Sequence, residues 1–310
     1  MSESSEAKLD RSSRAATRRA AEAVVGRLIS LSGWSAIAVL TAIAVFLASN
    51  AWKALSDPQV GLIRMLTGTS WYPTSTPPLY GFIQYIIASL RVTGVALAIA
   101  VPIGIAAAIY ISEFAPARLK GIAKSVIEFM AAVPSVVYGL MGVYVLGPAL
   151  KDLFGMQSAL TALSAGVVLA FMALPTIISI SEDAMHSVPS ELRQGSLALG
   201  NTHWQTTRKV IVPAASSGIF ASVMLGLGRA IGETMVVLMV AGNSMELTWS
   251  LTTSARPLTA VIAGEMGEVV QGGLHYSALF VVGLTLFVVT FLVNLAADLV
   301  LERQRARWRR

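Results

Sequence analysis

Two opposite charges stand within one of the most apolar stretches of the chain. Arg229 and Glu233 lie in the segment GLGRAIGETMVV, which covers residues 226–237. A charged residue at the centre of a membrane-spanning helix costs about 2.5–3.5 kcal/mol on insertion scales. The i, i+4 spacing places both side chains on one helix face, where pairing lowers that cost. We therefore expect a bundle interior, a water path or a substrate to face them. The alternative is a self-neutralised pair that only joins helices.

Two glycines in the same stretch, Gly228 and Gly232, have GxxxG spacing. Small residues at this spacing let another helix approach closely. The spacing predicts that these glycines serve helix packing.

The composition places these residues in a membrane protein. The chain is 55% apolar and only 13% charged, whereas soluble domains carry about 25% charged residues. Crossing a bilayer takes about 20 apolar residues, and the sequence predicts six such spans. They are residues 28–48, 91–111, 126–146, 159–180, 214–240 and 276–300. We predict an all-α, polytopic membrane domain over residues 28–300, between basic tails at 1–27 and 301–310.

The distribution of basic residues predicts the orientation of these spans. With the N-terminus inside, seventeen of the 23 Lys and Arg residues fall in inner segments and four in outer ones. This positive-inside pattern places both termini in the cytoplasm. The basic tails then serve topology and contacts with anionic lipids, and nucleic-acid binding is not expected.

The longest polar interruption in the second half of the chain, residues 187–213, predicts a helix–Gly–helix hairpin. Pro189 suits the start of the first helix, and Gly200 suits a helix C-terminus that turns left-handed. Thr202 and Gln205 have capping-box spacing for the second helix. Such a hairpin between two spans suggests a docking site, and the alternative is an ordinary cytoplasmic loop.

The hairpin resembles the motif of ABC importer permeases that reads E-A-A, then Gly, then I-x-L-P. That motif forms the coupling helices that sit in a groove of the ATPase subunit. The positions of the E-A-A signature are occupied by Gln194, Gly195 and Ser196, which depart from it. The remaining matches are Gly200, Val210, Val212 and Pro213. The resemblance implies that these seven residues form the ATPase coupling site.

Three further segments narrow the resemblance to one family. AVPSVVYG, GRAIGETM and RPLTAVIAGEMGE occur in the order found in PstC-type permease subunits of phosphate ABC importers. The similarity extends from about residue 71 to residue 294. It implies the ABC importer permease fold in the bacterial cytoplasmic (inner) membrane. It also implies a partner permease of PstA type, a dimer of ATPase subunits and an extracytoplasmic phosphate-binding protein. Arg229 and Glu233 match the Arg and Glu that matter for transport in this family.

The chemistry of the two charged residues agrees with an anionic substrate. Arg229 offers permanent, planar donors suited to phosphate oxygens. A carboxylate beside an anion is repulsive unless it pairs with the arginine or accepts a hydrogen bond from a protonated phosphate oxygen. Because sulfate has no such proton at neutral pH, we hypothesise that Glu233 helps to distinguish phosphate from sulfate.

Four other charged residues are weaker candidates. Arg91 is expected near the outer interface in a topological or lipid-facing role. Glu128 is expected to cap a helix or to snorkel at the start of the third span. Glu265 and Glu268, three residues apart, are expected to form a contact surface for the binding protein or a solvated face.

The residues argue against catalysis within the chain itself. There is no Cys, and the three His show no metal-ligand spacing. Because no G-x-x-x-x-G-K-[ST] motif occurs, ATP hydrolysis is expected to come from a partner. No cofactor and no metal are expected. The predicted function is a phosphate importer permease; the alternatives are a permease for sulfate or molybdate, or a stand-alone channel or secondary transporter.

Overall fold

A computed structural model of the chain describes the backbone of residues 3–58 and 60–308. Side chains are described for residues 22, 24–58, 60–299 and 302. Most side chains of the two predicted basic tails therefore lie outside the described residues. The contacts divide the chain into two units, residues 1–50 and residues 51–310.

The described backbone is helical apart from one short hairpin and its connections. The first half holds α1 (Glu3–Ser56), α2 (Leu62–Thr67), β1 (Trp71–Tyr72), β2 (Leu79–Tyr80), α3 (Ile83–Ile109), a π-helix π1 (Tyr110–Phe114), α4 (Ala117–Ala132), α5 (Ser135–Met141), π2 (Gly142–Leu146) and α6 (Gly147–Phe154). The second half holds α7 (Ala162–His186), α8 (Ser190–Ala198), α9 (His203–Thr206), π3 (Thr207–Ile211), α10 (Val212–Ala214), α11 (Ser216–Gly232), α12 (Met235–Val240), α13 (Leu258–Glu265) and α14 (Leu274–Trp308). Strands β1 and β2 pair antiparallel.

The helices confirm the all-α membrane fold. Within the described residues, five helices are long and apolar enough to cross a membrane. A sixth span results if the bent pair 203–214 and 216–232, which turns through 68°, counts as one. The first unit consists of the N-terminal part of α1. Most of its described apolar side chains, such as Trp34 and Phe46, are exposed, as expected for a surface that faces lipid.

The core of the second unit is built where α3 packs against α7. Small residues let the two helices approach closely. A Cβ atom at Gly104 would lie 2.7 Å from Ile177 Cγ2, and one at Gly166 would lie 2.6 Å from Val95 Cβ. Both distances are too short for a real contact, so these two positions require glycine. Helices α3 and α7 contain Pro102 and Pro175 and continue through them.

Two predicted spans differ from the observed helices. The third span was predicted at residues 126–146, but the helix breaks at Val133 and the candidate span is Ser135–Phe154. Pro134 is the cause, because a residue that precedes proline favours extended backbone, and Val133 has ψ 126°. The fifth span, predicted as continuous over residues 214–240, is interrupted after Gly232.

Candidate functional site

The interruption of the fifth span separates the two charges that the sequence placed on one helix. Helix α11 ends at Gly232, and Glu233 has extended backbone with φ −69° and ψ 133°. The carboxylate of Glu233 accepts hydrogen bonds from the backbone N–H groups of Met235 at 2.9 Å and Val236 at 3.2 Å. The predicted pairing of Arg229 with Glu233 is therefore wrong. The carboxylate instead satisfies the free N–H groups at the start of α12.

Arg229 stays in the last turn of α11 and is half-buried. Its Nη1 donates a hydrogen bond to Thr176 Oγ1 on α7 at 3.5 Å. Within the described part of the chain, Arg229 forms no ion pair with an acidic side chain. Because the guanidinium donates to a single hydroxyl group among the described residues, it retains donors for an oxyanion.

Helix α13 contacts the interruption of the fifth span at Glu233 and stabilises it. Thr259 Oγ1 donates to the backbone oxygen of Glu233 at 2.8 Å. The N–H of Leu258 donates to Ser89 Oγ on α3 at 3.0 Å. Helix α13 thus satisfies a backbone oxygen that the interrupted helix leaves free.

The two glycines of the GxxxG pattern are not closely packed by the described residues. A Cβ atom built at Gly228 or at Gly232 meets no atom within 4 Å. Packing of another helix against them stays a prediction, and that helix has to come from outside the described residues.

The hairpin over residues 187–213 has the predicted helix–Gly–helix form. Helix α8 is followed by Gly200 in the left-handed region, with φ 84°. The capping box is confirmed: the Thr202 N–H donates to Gln205 Oε1 at 2.8 Å, and the Gln205 N–H donates to Thr202 Oγ1 at 3.2 Å. The hairpin continues through π3 into α10, which contains Pro213.

The seven predicted coupling residues differ in their exposure to solvent. Gln194, Gly195 and Gly200 are exposed. Val210, Val212 and Pro213 are half-buried. Ser196 is buried, and its Oγ lies 2.9 Å from Thr206 Oγ1, which joins the two helices of the hairpin.

With this geometry established, comparison with known proteins identifies the family. The family described as binding-protein-dependent transport system inner membrane component matches residues 100–306. This chain belongs to that family. Membership and the apolar helices make it a multi-pass protein of the cytoplasmic membrane with the ABC permease fold.

Two relatives of this permease in the curated proteins cover most of its length. The probable ABC transporter permease protein YqgH of Bacillus subtilis (strain 168) is 40% identical over 269 residues, which cover 87% of each chain. The phosphate transport system permease protein PstC of Mesorhizobium japonicum is 36% identical over 290 residues, with 87% of each chain covered. The resemblance to PstC-type permeases is confirmed.

Two solved structures share the fold of the permease. An alginate ABC importer gives a TM-score of 0.60 at 15% identity, covering 87% of this chain and 96% of that chain. An inward-facing MetNI methionine ABC transporter gives a TM-score of 0.58 at 19% identity, covering 72% and 95%.

Arg91 has a different role in the permease from the one predicted. Its side chain is buried rather than lipid-facing. The guanidinium donates to Thr253 Oγ1 at 2.9 Å and to the backbone oxygens of Thr253, at 3.3 Å, and Ser250. Arg91 therefore fixes the segment between α12 and α13. No pattern in the sequence reveals this contact, because backbone oxygens supply most of the acceptors.

Glu265 is likewise part of the interior rather than a solvated face. Its carboxylate lies 2.9 Å from Arg256 Nη2 and 2.8 Å from His275 Nε2, and it accepts a hydrogen bond from Trp71 Nε1 at 3.0 Å. Arg256 also lies over the ring of Tyr85, at 5.7 Å from its centroid. The four residues bonded here come from β1, α13, α14 and the segment before α13. Glu268, in contrast, is exposed.

Helix α4 is tied to α7 by a further ion pair. Lys124 Nζ lies 2.9 Å from Glu182 Oε2, and Lys120 Nζ lies 3.6 Å from Glu182 Oε1. The hydrogen bond with Glu182 raises the pKa of Lys124. Glu128, which was expected to cap or snorkel, is exposed on α4.

The described residues show no cluster of three or more His, Asp or Glu side chains that could hold a metal ion.

Proposed function

We propose that this chain is the permease subunit of an ATP-driven importer of inorganic phosphate. The observation that carries the proposal is the 36% identity to a phosphate transport system permease over 87% of both chains. Relatives from Haemophilus influenzae and Xylella fastidiosa that carry the same name are 37% and 34% identical. Membership of a binding-protein-dependent transport family argues against a stand-alone channel or secondary transporter.

In this proposal the anion passes Arg229 and the turn at Glu233. Arg229 has no acidic partner among the described residues, so it can donate to phosphate oxygens. The Glu233 carboxylate already accepts two backbone N–H groups through Oε1. Its other oxygen accepts no hydrogen bond from the described residues, so it can accept one from a protonated phosphate. This arrangement supports discrimination against sulfate.

In this proposal, ATP hydrolysis by the partner ATPase subunits supplies the energy for transport. The exposed residues Gln194, Gly195 and Gly200 contact the ATPase dimer, and Val210, Val212 and Pro213 carry the hairpin into the fifth span. Both termini and the hairpin face the cytoplasm, as the positive-inside pattern predicts. A PstA-type permease completes the pathway, and an extracytoplasmic phosphate-binding protein delivers the substrate.

The test is uptake of labelled phosphate by cells that lack the gene and have the partner subunits, complemented with the wild-type chain. We expect uptake that excess unlabelled sulfate does not inhibit. Uptake of sulfate or molybdate in place of phosphate would contradict the substrate assignment.

A Glu233→Gln chain keeps an oxygen that can cap α12, so we expect it to insert normally and to lose preference for phosphate over sulfate. An unchanged preference would show that Glu233 does not contribute to discrimination between phosphate and sulfate.

A further inference from the structure

The end of α3 changes from α-helix to π-helix where it meets the hairpin. The Ala115 N–H donates to the oxygen of Tyr110, five residues earlier, at 2.8 Å. Short π-helical turns are rare and occur frequently at functional sites. The last two residues of π1, Glu113 and Phe114, contact the hairpin over residues 187–213.

Glu113 contacts the first helix of the hairpin. Its side chain is 2% exposed, and Oε1 accepts a hydrogen bond from Arg193 Nη2 on α8 at 2.8 Å. The same oxygen accepts a hydrogen bond from Ser112 Oγ at 2.9 Å. A buried carboxylate in an ion pair resists separation from its partner, because loss of either charge leaves the other uncompensated.

Phe114 contacts the second helix. Its ring centroid lies 5.7 Å from that of His203 and 6.1 Å from that of Trp204, both on α9. These distances are in the range of favourable aromatic pairs. Because Ser196 and Thr206 join α8 to α9, the hairpin is attached to π1 at two points on two connected helices.

We propose that Glu113 and Phe114 are positioning residues that act as a two-point clamp, through which displacement of the hairpin moves α3. The two contacts lie on two connected helices, so together they restrain the orientation of the hairpin relative to α3 more than either contact alone. Helix α3 packs against α7 through Gly104 and Ile177, next to Thr176, which contacts Arg229. The clamp thus joins the hairpin to helices α3 and α7, which lie beside Arg229 and Glu233 (the charged site). The transport role of the clamp rests on the proposed function.

The test compares amide hydrogen exchange in the purified importer complex with the wild-type chain and with the double variant Glu113→Gln, Phe114→Ala. The matched control is the double variant Glu128→Gln, Phe129→Ala. It alters a Glu and a Phe that are likewise consecutive in the sequence but are exposed on α4. Without nucleotide, we expect the clamp variant to raise exchange about tenfold both in residues 107–115 and in the hairpin. Increased exchange in only one of the two segments, or in neither, would overturn the clamp.

A second arm adds ATP. In the wild type we expect the exchange of the hairpin and of residues 107–115 to change together. In the clamp variant the change at 107–115 should fall at least about fivefold, while the hairpin still responds. An undiminished response at 107–115 would overturn the proposal. The nucleotide-free arm depends on neither phosphate nor ATP. A failure of the proposed function, seen as absent phosphate uptake by the wild type, is therefore distinguishable from a failure of the clamp.

Discussion

Removal of the Glu265 carboxylate should destabilise the chain strongly although Glu265 lies outside the charged site. Its side chain is 16% exposed, and it bonds to Arg256, His275 and Trp71. We take Glu265→Ala as the perturbation. Glu268→Ala, three residues later and exposed, is the matched control.

The expected loss of stability follows from Arg256, whose buried charge remains after the Glu265 carboxylate is removed. The Arg256 side chain is 7% exposed, and its Nε has no hydrogen-bond partner even in the wild type. Breaking a buried ion pair from one side costs about 3–5 kcal/mol, because the remaining charge stays buried without compensation. Substitution of an exposed residue away from such contacts usually changes stability by less than about 0.5 kcal/mol. Glu265→Ala should therefore lower the free energy of unfolding by about 3–5 kcal/mol and Glu268→Ala by less than about 0.5 kcal/mol.

The assay is reversible unfolding of the purified chain in mixed micelles by titration with a denaturing detergent, followed by tryptophan fluorescence and circular dichroism. Glu265→Gln is a third variant of intermediate severity, since its amide oxygen still accepts a hydrogen bond but carries no charge. We expect its loss of stability to lie between those of the other two variants. Equal stabilities for Glu265→Ala and Glu268→Ala would refute the reasoning from burial.

Two further predictions test contacts that position the site. Arg91→Gln should release the segment between α12 and α13, and limited proteolysis there should become about tenfold faster, whereas exposed Lys151→Gln should leave the rate unchanged. Gly166→Ala should cost about 1–3 kcal/mol, because its Cβ would lie 2.6 Å from Val95, whereas Gly94→Ala meets no atom within 4 Å. Equal unfolding midpoints for the two glycine variants would contradict the packing described for α3 and α7.

Hydropathy predicted the membrane helices because the bilayer imposes a length and an apolar composition on each span. It misplaced the third span, since apolar residues continue across Pro134 and hydropathy does not detect the extended backbone that proline imposes on Val133. The capping-box spacing of Thr202 and Gln205 predicted the hairpin correctly, because a cap depends only on neighbouring residues.

The geometry of Arg229 and Glu233 differs from the prediction, and their role in transport stays a prediction. The cost of burying charge led us to select Arg229 and Glu233, but the i, i+4 rule assumed a continuous helix. Helix α11 ends at Gly232, and the turn depends on Thr259, which is remote in sequence. The roles of Arg91 and Glu265 also depend on partners from distant segments, and pattern reasoning along the chain does not reveal such partners.

The passage of phosphate past Arg229 is tested most directly by labelled-phosphate uptake in cells that lack the gene and carry either Arg229→Gln or Arg118→Gln. Both variants remove one arginine charge, but Arg118 is exposed on α4 and Arg229 faces Thr176. With equal amounts of both chains in the membrane, we expect wild-type uptake for Arg118→Gln and loss of most uptake for Arg229→Gln. Wild-type uptake by Arg229→Gln would contradict the claim that phosphate passes this residue.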